Sequence, residues 1–295
     1  MADWGQGASN NDIGWGQGVV NNDISWGSVC ADSYSGDTDI LGETNSFLLD
    51  TYTGAAAAYS LRQLSSTTTN VVRVRRSSDN AEQDFTANQI TDETLIAFCG
   101  AGNGFVTTWY DQSGLNRNAI QTTATNQPQI VSSGSFILEN GKPSLNFANS
   151  YLKTLQILPS ISQPITIFSI YNGNHRFIYD GFSSLDRIAL SATFPDLFPR
   201  ISAGVYLNSP TNPVSIFGLT TAIYNTLNSY IYRDGIELVN GNVGINVFQG
   251  LTIGANSEGG DTLTGKILEI ILYPSDKSSN RASIEDNINN FYSIY

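Results

Sequence analysis

Ser229-Tyr-Ile-Tyr-Arg-Asp-Gly-Ile-Glu-Leu238 is the stretch that decides the fold. Tyr and Ile alternate up to Asp234-Gly235, and apolar residues resume at Ile236. An Asp-Gly pair between such runs supplies the two positive backbone angles of a tight hairpin turn. Two further strand-like runs follow, Leu251-Thr-Ile-Gly254 and Lys266-Ile-Leu-Glu-Ile-Ile-Leu-Tyr273, with a loop from Ala255 to Thr262 between them. Upstream, the same pattern recurs at residues 57–64, 71–76, 104–110 and 164–171: short, rich in β-branched or aromatic residues, and closed by Gly, Asn, Asp or Pro. Two segments read as helices. Residues 91–98 offer a capping Thr with acids in the first turn, and residues 283–292 place Ile284, Ile288 and Phe291 on one face. Many short strands without strand and helix alternation predict an all-β fold, an antiparallel β-sandwich of jelly-roll type.

Composition narrows the partners. Fourteen Lys and Arg stand against 26 Asp and Glu, a net charge of −12, which argues against electrostatic capture of nucleic acid or of an anionic membrane. Only 14% of residues are charged, so neutral polar groups must cover the surface, and sugars and other proteins remain open as partners. Met1-Ala-Asp-Trp4 has neither the basic start nor the apolar core of a secretory signal, and no run approaches the roughly 20 apolar residues of a membrane span. The expectation is a soluble product. Cys30 and Cys99 are the two cysteines. No spacing rule pairs them; a disulfide is open, and two buried free thiols is the simpler reading.

The first 26 residues say nearly the same thing twice and begin a third time: Asp3-Trp-Gly-Gln-Gly-Ala-Ser-Asn-Asn-Asp-Ile13, Gly14-Trp-Gly-Gln-Gly-Val-Val-Asn-Asn-Asp-Ile24, then Ser25-Trp-Gly-Ser28. Trp4, Trp15 and Trp26 thus recur every eleven residues, with Ile13 and Ile24 closing the full repeats. One large aromatic per eleven residues among Gly, Asn and Gln cannot bury enough apolar area to offset chain entropy unaided. Each Trp can, however, bury about 150–250 Å² in a pocket on another surface. Residues 1–42 therefore read as an anchoring arm and residues 43–295 as the sandwich domain; a low-complexity tail is the alternative for the arm.

The densest motifs are Ala56-Ala-Ala-Tyr-Ser-Leu-Arg62, Val72-Arg-Val-Arg-Arg-Ser-Ser-Asp79 and Gly104-Phe-Val-Thr-Thr-Trp-Tyr-Asp-Gln-Ser-Gly114 with Asn116. In this order they resemble the amino-terminal half of the catalytic domain of family 54 α-L-arabinofuranosidases, a concanavalin-like β-sandwich. The tail, from the Asp234-Gly235 hairpin through Leu251 to Tyr273, is similar to the closing strands of laminin G and concanavalin-like lectin domains. The resemblance implies two catalytic carboxylates in the second half, one in a Met-Glu-Ala-Ile-like strand and one in a Gly-Gly-Asp-Asn-like loop. The matching segments here are Leu185-Asp-Arg-Ile188 and Ile253-Gly-Ala-Asn-Ser257, and the second carboxylate is missing from its place. A glycosidase of this kind needs two carboxyl groups flanking the scissile bond. The expectation is a domain without catalytic residues; the alternative is a glycoside hydrolase working through Asp186 with Glu258 or Asp261.

Other residues carry weaker expectations. Asp111 and Gln112 either hold the turn that Ser113-Gly114 begins or hydrogen-bond a ligand. Tyr171, Asn172 and Asn174, leaving a strand, form the best candidate sugar-binding loop, because a ring face stacks on a pyranose while amides take its hydroxyls. Asp79, Glu82 and Asp84 supply oxygen donors for Ca²⁺, the one cofactor considered, although their spacing matches no defined calcium loop and Arg73, Arg75 and Arg76 explain them as well. His175 is the only histidine, which excludes a histidine cluster for zinc. The arm, leading into a lectin-like sandwich, resembles the amino-terminal segment of bacteriophage fibre, tail and head-decoration proteins. That resemblance implies a structural virion protein assembled in the host cytoplasm. Its arm would dock on capsid or tail proteins, its sandwich would face host-surface glycan, and it would form a homo-oligomer such as a trimer.

Overall fold

The computed structural model of the chain describes residues 46–174 and 177–295. Within it Phe47–Tyr295 is one compact unit. Trp4, Trp15, Trp26, Ile13, Ile24, Cys30, the boundary expected at residues 42–43, His175 and the side chain of Asn174 lie outside the described residues.

Twenty-one strands and four helices make up the described chain. The first half carries β1 (Ala57–Ser60), β2 (Val72–Arg76), β3 (Glu82–Phe85), β4 (Gly104–Trp109), β5 (Ala119–Ile120), β6 (Gln129–Ser132), β7 (Ser135–Phe136), β8 (Leu138–Glu139), β9 (Lys142–Pro143), β10 (Leu145–Ala148) and β11 (Leu152–Lys153). The second carries β12 (Ile165–Asn174), β13 (Phe177–Gly181), β14 (Ala189–Ala192), β15 (Pro199–Ser202), β16 (Tyr206–Asn208), β17 (Gly218–Tyr224), β18 (Ser229–Arg233), β19 (Ile236–Gly241), β20 (Leu251–Ile253) and β21 (Thr264–Tyr273). The helices are α1 (Leu48–Thr51), α2 (Ala87–Thr91), α3 (Thr94–Cys99) and α4 (Arg281–Tyr292).

Every strand pairing among the described residues is antiparallel, and the strands form two layers of a β-sandwich. One layer runs β19-β18-β17-β12-β21, with β1 and β10 sharing the far edge of β21. The other runs β3-β2-β4-β5-β11-β20-β13-β14-β15-β16. β6 pairs with both β4 and β10 and joins the layers at one corner. Between the layers lies the main core, in which Ile167, Tyr224, Ile270 and Leu272 meet Val74, Trp109, Tyr179 and Ile253. The outer face of the first layer is also covered: Phe168, Ile170, Leu268 and Ile271 pack under Ile284, Ile288 and Tyr292 of α4 and under Leu48 and Leu49. This is why β21 is apolar at nearly every position instead of alternating. Burying Ile284 and Ile288 contributes about 2 kcal/mol each.

β21 carries one buried acid. A register shift opposite Ile170 and Tyr171 turns Glu269 toward the helix-covered face. There it accepts hydrogen bonds from Ser60 Oγ at 2.7 Å and Arg62 Nε at 2.8 Å and contacts Tyr292 Oη. Arg62 also bonds Asn287 of α4, so the pair ties the terminal helix to the sheet.

Local chemistry explains the elements. Asp234 and Gly235 have φ of 50° and 79°, the hairpin turn read from the sequence, and Arg233 pairs directly with Ile236. The helix expected over residues 91–98 is α3, which starts three residues later at Thr94, and a separate short helix, α2, precedes it. α2 starts on a capping box between Thr86 and Gln89, and α3 starts after Glu93, whose φ of 65° separates the two, while Asp92 Oδ1 accepts the Thr94 amide. Among the described residues no helix is long and apolar enough to cross a membrane.

Candidate functional site

The two segments that the sequence matches to catalytic regions meet at one residue it did not single out, Asp180. Asp180 closes β13 and is fully buried. Its Oδ1 accepts the Gly181 amide at 2.8 Å and Arg187 Nε at 3.1 Å; its Oδ2 accepts the Ser257 amide at 2.9 Å and lies 3.0 Å from Arg187 Nη2. Burial drives this carboxyl above the ordinary value, against the opposite pull of Arg187 and the two backbone donors. The β13–β14 hairpin can fold back this tightly because Gly181 lacks a Cβ, which would sit 2.7 Å from Asp186 O. On the other side Gly254, at φ +81°, starts the loop after β20, and a Cβ there would run into the Phe147 ring. Lys153 Nζ donates to Ser257 O at 2.8 Å and lies 4.7 Å over the Phe182 ring. Arg187 lies 5.1 Å over Phe177.

The carboxylates of the hydrolytic alternative stand outside this arrangement. Asp186 is half-buried in the hairpin, with its amide donating to Ser183 Oγ. Glu258 is exposed on a turn that Asn256 Oδ1 holds by accepting the Glu258 and Gly260 amides. Asp261 is exposed at φ 44°. Ala255 is buried. The one acid inside the site therefore has both oxygens engaged, and a paired acid and base need two carboxyls free to face a sugar.

A second polar region lies on the same layer, around the turn after β4. Asp111 and Gln112 build that turn with all their polar atoms. Asp111 Oδ1 accepts the Ala58 and Ser113 amides, and its Oδ2 accepts Ser113 Oγ and the Arg117 amide. Gln112 is buried, accepts the Leu64 amide and donates to Ser60 O and Arg62 O. Beside the turn are two hollows of about 450 and 270 Å³ that share Tyr110 and Asn118 in their linings. Arg73, Glu82, Thr107 and Thr108 are among the residues that line the larger one. Residues 67–70, Gly114 and Asn116 line the smaller. Tyr110 Oη donates to Asp84 at 2.7 Å, and burial with that contact raises its phenol. Thr68 Oγ1, in the lining of the smaller hollow, is buried without a partner. An unpaired buried hydroxyl of this kind costs about 1–3 kcal/mol.

The fold is similar to solved structures of arabinofuranosidases. An arabinofuranosidase complexed with arabinofuranosyl-α-1,2-xylobiose superposes with a TM-score of 0.64 at 16% identity, over 82% of this chain and 64% of the enzyme. A GH54 α-L-arabinofuranosidase soaked with a cyclic sulfate inhibitor gives 0.63 at 15% identity with the same coverage. The chain thus spans 64% of the length of these enzymes, and at such identity the likeness is one of fold. No protein-family model matches the chain, and no curated protein sequence matches it.

The structure corrects the sugar-binding loop expected at residues 171–174. Tyr171 is fully buried, because β12 continues to Asn174 and the register shift at Ile170 and Tyr171 turns the ring into the core. There its hydroxyl pairs with Thr220 Oγ1 at 2.7 Å and Arg233 lies 4.7 Å over the ring. Asn172 donates to Glu139 at 2.7 Å. The three carboxylates weighed for calcium are divided: Asp79 pairs with Arg76 at 2.7 Å, whereas Glu82 and Asp84 share Arg73. Among the described residues no group of three or more His, Cys, Asp or Glu is placed to hold a metal ion. Cys99 is buried, which pushes its thiol up to about 11.

Asp180 escaped notice because its partners are seven and 77 residues away in the chain. A Tyr-Asp-Gly ending to a buried strand was the available signal. The hollows beside Tyr110 left a fainter one, the Thr-Thr-Thr-Asn run at residues 67–70.

Proposed function

We propose that this chain is a structural protein of a bacteriophage particle, attached by its Trp-Gly repeat arm and displaying a β-sandwich that recognises host-surface glycan without hydrolysing it. One observation carries the non-hydrolytic part: the family resemblance puts its two catalytic carboxylates in the segments of Asp186 and Ala255, and there Ala255 is buried while the one buried acid between the segments, Asp180, is locked to Arg187 and two backbone amides. The sandwich fold shared with arabinofuranosidases supports a sugar-facing history for the domain. The eleven-residue Trp repeat supports the particle-bound reading. Immunogold labelling of purified particles with antibody to the full chain tests the attachment. Gold on the particle surface is expected, and label found only in the unassembled fraction contradicts it.

The fold likeness also favours a second reading, a glycoside hydrolase related to α-L-arabinofuranosidases. It requires Asp186 with Glu258 or Asp261, so that sugar release must fall in Asp186→Asn. Release that is unchanged in that variant removes this assignment.

A further inference from the structure

We infer that the trough formed by the two hollows beside Tyr110 binds a neutral oligosaccharide chain, at a place separate from the Asp180 region. The inference rests on the reading of the domain as a glycan binder and locates the contact. The hollows, about 450 and 270 Å³, share Tyr110 and Asn118, so they adjoin at one partly exposed ring. That arrangement suits a chain of several sugars that stacks one ring on Tyr110 and runs into both hollows.

The lining selects the ligand class. Its charges are spent within the protein: Arg73 is paired with Glu82 and Asp84, and Asp111 is bonded through both oxygens. A uronate, phosphate or nucleic acid finds no unneutralised cation there. The remaining lining is mainly threonine hydroxyls and side-chain amides, with Ile120 beside Tyr110, too little apolar surface for a peptide anchor. One group has hydrogen-bonding capacity in reserve: Asn118 spends its Oδ1 on the Asp111 amide, and its Nδ2 bonds nothing among the described residues. On the sheet β11 and β20 separate β5, which walls the trough, from β13, which carries Asp180.

The test uses the full chain and a panel of arabinan, xylan, galactan and glucan fragments of four to six sugars, with acidic uronate oligomers alongside. Affinity is measured by calorimetry for the chain, for Tyr110→Ala, for Thr122→Trp, which fills the larger hollow from an exposed lining position, and for Ser184→Ala on the exposed β13–β14 hairpin. The expected result is binding of a neutral fragment, weakened about tenfold or more in Tyr110→Ala and Thr122→Trp but unchanged in Ser184→Ala. Binding that survives both trough variants overturns the location and leaves the glycan reading standing. Selective capture of the uronate oligomers overturns the ligand class, and retention of no fragment overturns both location and reading. Thr122→Trp keeps the test valid if Tyr110→Ala fails to fold.

Discussion

The Asp180 region and the Tyr110 trough lie on one sheet and spend their polar groups in opposite ways. Around Asp180 every strong group is consumed internally: an acid with no exposure, an arginine across it, two amides and a lysine on the adjoining carbonyl. Beside Tyr110 the charges cancel in pairs, yet hydroxyls and amides line open space and one buried hydroxyl goes unpaired. A fold similar to that of arabinofuranosidases can thus spend the polar groups of one region on stability and leave those of another facing open space. Fold alone does not say which.

Arg187→Ala is the sharpest way to break that contrast. It leaves a fully buried carboxylate without its cation, and chemical denaturation is expected to show a loss of about 3 kcal/mol. Cys99 gives the next effect. In a Cys30→Ser chain, the buried thiol, raised to about 11, is expected to react with an alkylating probe at pH 8 far more slowly in the folded than in the unfolded chain. Equal rates would show an open interior. By contrast, Tyr110→Ala at the trough should cost the fold only about 1 kcal/mol or less, because the ring is half-exposed, while its effect falls on glycan affinity. A loss as large as that of Arg187→Ala would make the trough a structural region like the other.

The smallest effect is acidic. Asp79 is held far below the usual carboxylate range, first by the hydrogen bond from Arg76 and then by the Ala81 amide. A carboxyl depressed by folding stabilises above its unfolded value near 4, and that contribution fades as pH falls below it. Asp79→Asn is therefore expected to lower the melting temperature slightly at neutral pH and to flatten its fall below about pH 4, so that the two chains converge in acid, as read by melting temperature against pH.

Much of the fold was legible where the chemistry is local. The Asp234-Gly235 turn, the β21 run and the face of α4 each declare themselves within a few residues. The β13–β16 ribbon did not. Its buried runs, such as Ala189–Ala192, lack alternation, since sheet partners and the core beneath fix them and their own period does not. Break points inside apparent elements were also hidden: Glu93 at φ 65° separates α2 from α3, and a register shift sends Tyr171 inward. For the sites, the missing second carboxylate could be read from Ala255. The lock on Asp180 could not, because Arg187 and Ser257 reach it only through the folded sheet. The roles of Asp111 and Gln112 needed the structure too, since each spends its oxygens on backbone groups up to 53 residues away.

The central proposal is that this sandwich, similar in fold to arabinofuranosidases, lacks a working carboxylate pair. Its most direct test is to incubate the full chain and Asp186→Asn with 4-nitrophenyl α-L-arabinofuranoside and with arabinan, and to record released nitrophenol and arabinose. The account predicts no release above buffer from either protein; release by the unmodified chain that disappears in Asp186→Asn would contradict it.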